Sequence, residues 1–118
     1  MKFFKKQLVN PIAIIQREIH FIKKHYTFID CRTLNGGLYC YGKYQPTPES
    51  QTYHYRIKYI PPNKPIVTLT NPIIEYNDDI HMYPTNNSLC LYHSSDLVWD
   101  ATCHLHDTII PWTHEWFV

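Results

Sequence analysis

HMYPTNNSLCLYHSSDLVWDATCHLHDTII, residues 81–110, does not share the regular patterning of the segments before it. From Asn71 to Trp99 the chain is polar and irregular, and loops of that length in a compact domain usually carry function. Inside the loop stands a cysteine, Cys90, between Leu89 and Leu91. Two flanking leucines can anchor a loop on a core while the thiol between them stays reachable. Beyond Trp99 the pattern changes again. Leu105, Ile109, Trp112 and Trp116 recur at helical spacing, with Pro111 expected to break or restart the helix.

Upstream of this stretch the chain reads as strands. LYCYGKY (38–44) follows the turn signal Asn35-Gly36-Gly37, and YHYRIKY (53–59) alternates apolar and polar residues so that one face can be buried. PIVTLTNPI (65–73) is a further β-branched run. The prolines at 46, 48, 61, 62, 65 and 72 fall at the ends of these runs, where a missing N–H costs no ladder hydrogen bond. Further upstream, residues 11–25 read as an amphipathic helix. Asn10 is its expected N-cap and Pro11 lies in its first turn. Ile12, Ile15, Ile19 and Ile22 make its apolar face, and Gln16, Arg17, Lys23 and Lys24 lie opposite. A helix followed by an antiparallel meander of about four strands, a long loop and a C-terminal helix predicts an α+β domain.

A chain of 118 residues has room for one core, so residues 1–118 are expected to form a single domain. With 44% hydrophobic and 18% charged residues, disorder is excluded. The net charge of +1 gives nucleic acid or anionic lipid no field to follow, so neither is an expected partner. Lysines near the N-terminus resemble the start of a signal peptide. However, Pro11 and then Gln16-Arg17-Glu18 interrupt the apolar run, no small-residue cleavage site follows, and nothing approaches the ~20 apolar residues of a membrane span. Cys31, Cys40, Cys90 and Cys103 are accordingly expected as reduced thiols in the cytoplasm. No phosphate-binding loop is present, because Asn35-Gly36-Gly37 lacks a following lysine and helix. No cofactor, metal or small-molecule substrate is expected.

Residues 81–110 resemble the ubiquitin-conjugating enzymes. The signature of that family is a His-Pro-Asn turn, a short loop, a hydrophobic residue, the catalytic cysteine and a leucine, then a tryptophan and a helix. His81 stands for the motif histidine, Leu89-Cys90-Leu91 for the cysteine core and Trp99 for the tryptophan, with Ala101–Ile110 as the helix that follows. YRIKYIPPNKPIVTL resembles the strand, proline-rich turn and strand that precede the active site. The chain is most similar to the conjugating-enzyme-like proteins of bacterial CBASS anti-phage operons, which are encoded beside cyclic-oligonucleotide synthases. Like theirs, its C-terminus is Trp-rich, PWTHEWF, where eukaryotic relatives continue into further helices.

The resemblance implies a UBC-like fold in which Cys90 forms a thioester with the C-terminus of a partner, a cGAS-like nucleotidyltransferase, and thereby regulates it. Such chemistry needs a thiol able to become a thiolate and within reach of the partner's carbonyl. It also needs a donor for the developing oxyanion, worth about 3–4 kcal/mol when well placed. The family's motif Asn is absent here, since Met82-Tyr83 follows His81. Asn86, Asn87 or the Tyr83 hydroxyl is left to serve as that donor. His81 is expected to hold the loop through backbone hydrogen bonds, and Trp99, Trp112 and Trp116 to support the core. His93, Asp96 and Asp100 are candidate bases by proximity alone.

Two other readings stand beside this one. A conjugating-enzyme fold without activity would serve as an adaptor, and the missing Asn favours that. Cys90-x-x-His93 and Cys103-x-x-His106 also have the spacing of a Cys2His2 zinc site, if the two pairs converge. Cys31, Cys40 and Cys103 are expected to be ordinary buried apolar side chains.

Overall fold

The structure, a computed structural model, describes residues 10–74, 80–84, 86–92 and 95–118. Helix α1 spans Pro11–His25. The Asn10 side chain accepts hydrogen bonds from the N–H groups of Ile12 (3.0 Å) and Ala13 (3.4 Å), satisfying two donors that a helix start leaves unpaired. Pro11 supplies a pre-set φ in the first turn, and Lys23, Lys24 and His25 suit the negative end of the helix dipole.

The buried face of α1 is Ile14, Ile15, Glu18 and Ile22; of the expected isoleucine stripe, Ile15 and Ile22 are buried and Ile12 is not. Ile12 is 66% exposed and Ile19 only partly buried. With Ile15 they also line a groove facing the turn at Leu34–Gly37. Steps of four from Ile14 also point into the core, and the second residue on that line is an acid, Glu18.

Strands β1 (Asp30–Leu34), β2 (Gly37–Tyr44), β3 (Tyr53–Tyr59) and β4 (Ile66–Asn71) form the expected antiparallel meander. Two short strands, β5 (Met82–Tyr83) and β6 (Ser88–Leu89), extend the sheet to six in the order β1-β2-β3-β4-β6-β5. Asn35 (φ 50°) and Gly36 (φ 77°) make the β1–β2 turn, both in the left-handed region that matches the twist of a two-residue hairpin. Strand β1 itself is invisible as a pattern, because four of its five residues are exposed. Its half-buried Cys31 lies opposite the buried Cys40.

Leu38 and Cys40 of β2, Tyr55, Ile57 and Tyr59 of β3, and Val67 and Leu69 of β4 alternate onto the core face. They meet Ile14, Ile15 and Ile22 of α1 and Leu105, Ile109, Ile110 and Phe117 from the C-terminus in one cluster. Gly42 lies opposite Tyr55, whose ring occupies the space a side chain at Gly42 would fill.

The C-terminal segment begins later than expected. Ala101–Ile110 is not one helix. The Asp100 carboxylate accepts from the Thr102 N–H (2.8 Å) and hydroxyl (2.5 Å), holding residues 100–103 in a turn that competes with helix. A π-helical turn then spans Leu105–Ile109 and passes directly into α2, Ile110–Trp116. Pro111 is tolerated in the first turn of α2, so it starts the helix rather than breaking it. Trp112 and Trp116 are half-buried, Trp116 packing against the core, while Ile110 and Thr113 are fully buried. Among the described residues no helix is long and apolar enough to cross a membrane.

Candidate functional site around Cys90

Cys90 leaves the sheet immediately after β6. Strand β6 is held on one side by β4, through Thr68 and Ser88, and on the other by β5, through Met82–Leu89 and Tyr83–Ser88. The Cys90 N–H then donates to the His81 carbonyl at 2.9 Å, which fixes where the thiol-bearing residue emerges. Leu89 is buried and Leu91 packs against the core, so the expected leucine anchors are in place on both sides of a half-buried thiol. The thiol approaches the Tyr92 carbonyl at 3.9 Å.

The contacts His81 makes in the loop are those of its carbonyl. That oxygen also accepts from the Trp116 indole N–H at 2.9 Å, tying the C-terminal helix to the backbone that holds Cys90. The residue is exposed. The turn between β5 and β6 is closed by the Asn87 N–H on the Tyr83 carbonyl (3.0 Å), with Asn87 in the left-handed region at φ 54°. The side-chain oxygen of Asn86 accepts from the Ser88 N–H (3.0 Å) and hydroxyl (2.5 Å). Asn86 thus braces the turn leading into Cys90.

Trp99 lies apart from this group. Its indole N–H donates to the Tyr59 hydroxyl (3.3 Å) and the two rings meet edge to face at 5.6 Å. Burial raises the Tyr59 phenol above its ordinary pKa.

Of the candidate bases, Asp100 is committed to Thr102, whose hydroxyl and N–H hold its carboxyl below the usual range; such a group accepts protons poorly. Asp96 is exposed, and His93 lies outside the described residues.

Lys64 was not singled out in the sequence, yet it is drawn into this site. It sits in the turn between β3 and β4, and its ammonium donates to the Tyr83 hydroxyl at 2.8 Å. The same group lies 4.8 Å from the centre of the Tyr83 ring and 4.9 Å from that of Tyr92. Partial burial alone would lower its pKa, but the Tyr83 hydrogen bond and electrostatic interaction with Tyr83, Tyr92 and Cys90 outweigh burial and hold it above its ordinary value. A groove of about 400 Å³ runs beside it, lined by Pro65, Ile66, Tyr83, Asn86 and Leu89. A lysine in a proline-flanked turn carries no sequence signal of such a role. The clue available was Tyr83 beside the motif histidine.

Of the two Cys/His pairs, the first includes His93, which lies outside the described residues. Cys103 donates to the Asp100 carboxylate (3.8 Å), and the His106 ring stacks on Phe21 (4.8 Å) and His25 (4.9 Å) of α1. Among the described residues no group of three or more His, Cys, Asp or Glu side chains could hold a metal. Cys31 and Cys103 are half-buried rather than buried, and only Cys40 is the fully buried thiol expected of all three.

Residues 18–118 match the family model of the type II CBASS E2 proteins. The chain belongs to that family. Its matched region begins within α1 and takes in the whole sheet, the Cys90 loop and the C-terminal helix. No curated protein matches the chain. Membership makes this an E2-like component of an anti-phage system, and its mixed α/β architecture, two helices and a six-stranded antiparallel sheet, is consistent with an E2-like fold.

Proposed function

We propose that this CBASS E2 protein folds as one UBC-like domain and acts as an acyl carrier through Cys90. Its partner is the C-terminus of a cGAS-like nucleotidyltransferase, whose activity the linkage regulates. The observation that carries the reading is the placement of Cys90: half-buried, anchored by Leu89 and Leu91, and pinned by its own N–H to His81 at the end of β6. A nucleophile needs this combination of fixed backbone and reachable side chain.

In the reaction, the Cys90 thiolate attacks the partner's terminal carbonyl, which arrives activated as an adenylate or a thioester supplied in trans. The leaving group departs as AMP or as a thiolate, and the acyl group rests on Cys90. An amine that later attacks this thioester takes the acyl group and releases Cys90 as thiolate, its own proton passing to solvent. His81 and Asn86 hold the loop for both steps, and Asn87 shapes the turn.

Co-expression with the neighbouring nucleotidyltransferase tests this. A higher band should form with the full-length partner, vanish on reduction or with hydroxylamine, and be missing both for Cys90→Ala and for a partner lacking its last residues. A second reading, an adaptor without chemistry, is favoured by Met82-Tyr83 occupying the place of the motif Asn. An adaptor would bind the partner and regulate it equally well with Cys90→Ala.

A further inference from the structure

Acyl transfer through a thioester builds negative charge on the carbonyl oxygen, and something must meet it. The two asparagines near Cys90 shape the turn before it: Asn86 Oδ1 accepts from the Ser88 N–H, and the Asn87 backbone N–H donates to the Tyr83 carbonyl. A cation that interacts with Cys90 is Lys64. Its ammonium is not a loose surface charge, because three contacts define its place: the Tyr83 hydroxyl and the faces of the Tyr83 and Tyr92 rings. Tyr83 and Tyr92 bracket Cys90 in the chain, and the Cys90 thiol points at the Tyr92 carbonyl. A groove lined by Lys64, Tyr83 and Leu89, the residue before Cys90, runs alongside.

We propose that Lys64, clamped by Tyr83 and Tyr92, is the group that stabilises the oxyanion formed when an acyl group moves onto and off Cys90. The proposal rests on the reading of Cys90 as the acyl acceptor and extends it. The step is an exchange: Cys90 thiolate adds to the carbonyl of an incoming thioester, the C=O electron pair moves onto oxygen opposite the ammonium, and its return expels the incoming thiolate. The ammonium gives no proton up and ends as it began. Three features keep Lys64 in that role rather than as the final amine. Two ring faces, a hydrogen bond and the Cys90 thiolate all favour its protonated form, and an ammonium has no lone pair with which to attack. The groups facing it are Tyr83, Tyr92 and Cys90.

The test compares two reactions of the same thiol in the full chain. A short peptide prepared as a C-terminal mercaptoethanesulfonate thioester transfers to Cys90 through an oxyanion. Iodoacetamide alkylates Cys90 by direct displacement, without one. Both are followed at Cys90 by mass spectrometry for the wild type, Lys64→Met and Lys64→Arg, with circular dichroism to show that each variant is folded. Lys64→Met should slow acyl transfer by about 10- to 100-fold, below the full loss for an enclosed donor because Lys64 lies at an exposed rim, and leave alkylation within about twofold. Lys64→Arg should recover part of the rate. Equal loss in both reactions, or no loss in transfer, overturns the role of Lys64 while leaving Cys90 as acceptor. A hydroxylamine-resistant acyl group on Lys64 itself also overturns it. Failure of wild-type Cys90 to take the acyl group, while it still alkylates, overturns both proposals together.

Discussion

Glu18 on α1 and Leu105 at the start of the π-helical turn are joined by a 2.6 Å hydrogen bond from the Leu105 N–H to Glu18 Oε1, across 87 positions of chain. The other carboxylate oxygen takes His104 Nδ1 at 2.8 Å and Arg17 Nε at 3.0 Å. The Arg17 guanidinium in turn reaches the carbonyls of Ala101 (2.8 Å) and Cys103 (3.3 Å). A carboxylate of zero exposure inside an isoleucine face would be costly alone; here it caps a helix start and locks the segment following the Cys90 loop onto α1.

Glu18→Leu should therefore destabilise the protein by about 3 kcal/mol, the lower end for breaking a buried ion pair, because Arg17 and His104 retain access to solvent. Urea unfolding followed by tryptophan fluorescence measures it. A loss below about 1 kcal/mol would show that the Leu105 cap is unimportant.

Gly42→Ala tests how the sheet is packed. The added methyl would lie 2.5 Å from the Tyr55 ring, which is fully buried and tied by its hydroxyl to His114 Nε2 at 2.8 Å. The ring cannot withdraw without surrendering that bond, so the substitution should cost about 1–3 kcal/mol. A thermal shift assay that finds the variant as stable as wild type would mean the ring has somewhere to go.

Acidification should weaken the fold between neutral pH and about pH 5. Burial lowers the pKa of His114 and of His106, so each is held neutral in the native state. Above the ordinary histidine value of about 6.5 both states are neutral and the stability is fully present. As the pH falls below that value the unfolded chain binds protons first, and stability drops until the native pKa is passed. His114 stacks on Tyr44 at 4.3 Å and meets Tyr26 and Tyr55. His114→Phe should give a shallower decline, measured by urea midpoints from pH 7.5 to 5. A midpoint that rises on acidification would contradict the sign.

Trp116→Phe keeps a ring beside Phe117 and removes one donor from the His81 carbonyl, the same oxygen that receives the Cys90 N–H. Hydrogen exchange at the Cys90 amide should accelerate while β2 and β3 stay protected, with a global cost of about 1 kcal/mol. Unchanged exchange at Cys90 would separate the C-terminal helix from the site.

Where residues repeat with a period and face one core, the chain was legible. Asn10-Pro11 set the start of α1, and the aromatic and β-branched runs set β2, β3 and β4. Strand β1 escaped because its exposed residues carry no alternation, and β5 and β6 because two residues make no pattern. Ala101–Ile110 misled because Asp100 and Thr102 form a local turn that periodicity does not see. At the candidate site, Cys90 and its leucines stood out by local context. Lys64 and Trp116 did not, since their places depend on contacts to Tyr83, 19 positions away, and His81, 35 positions away.

The central claim is that Cys90 carries the partner's C-terminus as a thioester, and intact mass of the complex purified without reductant tests it most directly. Wild type should give an adduct equal to both chains less one water, while Cys90→Ala gives none. An adduct lighter by two hydrogens would be a disulfide, and no adduct with equal co-purification of both variants would be an adaptor; either result contradicts the account.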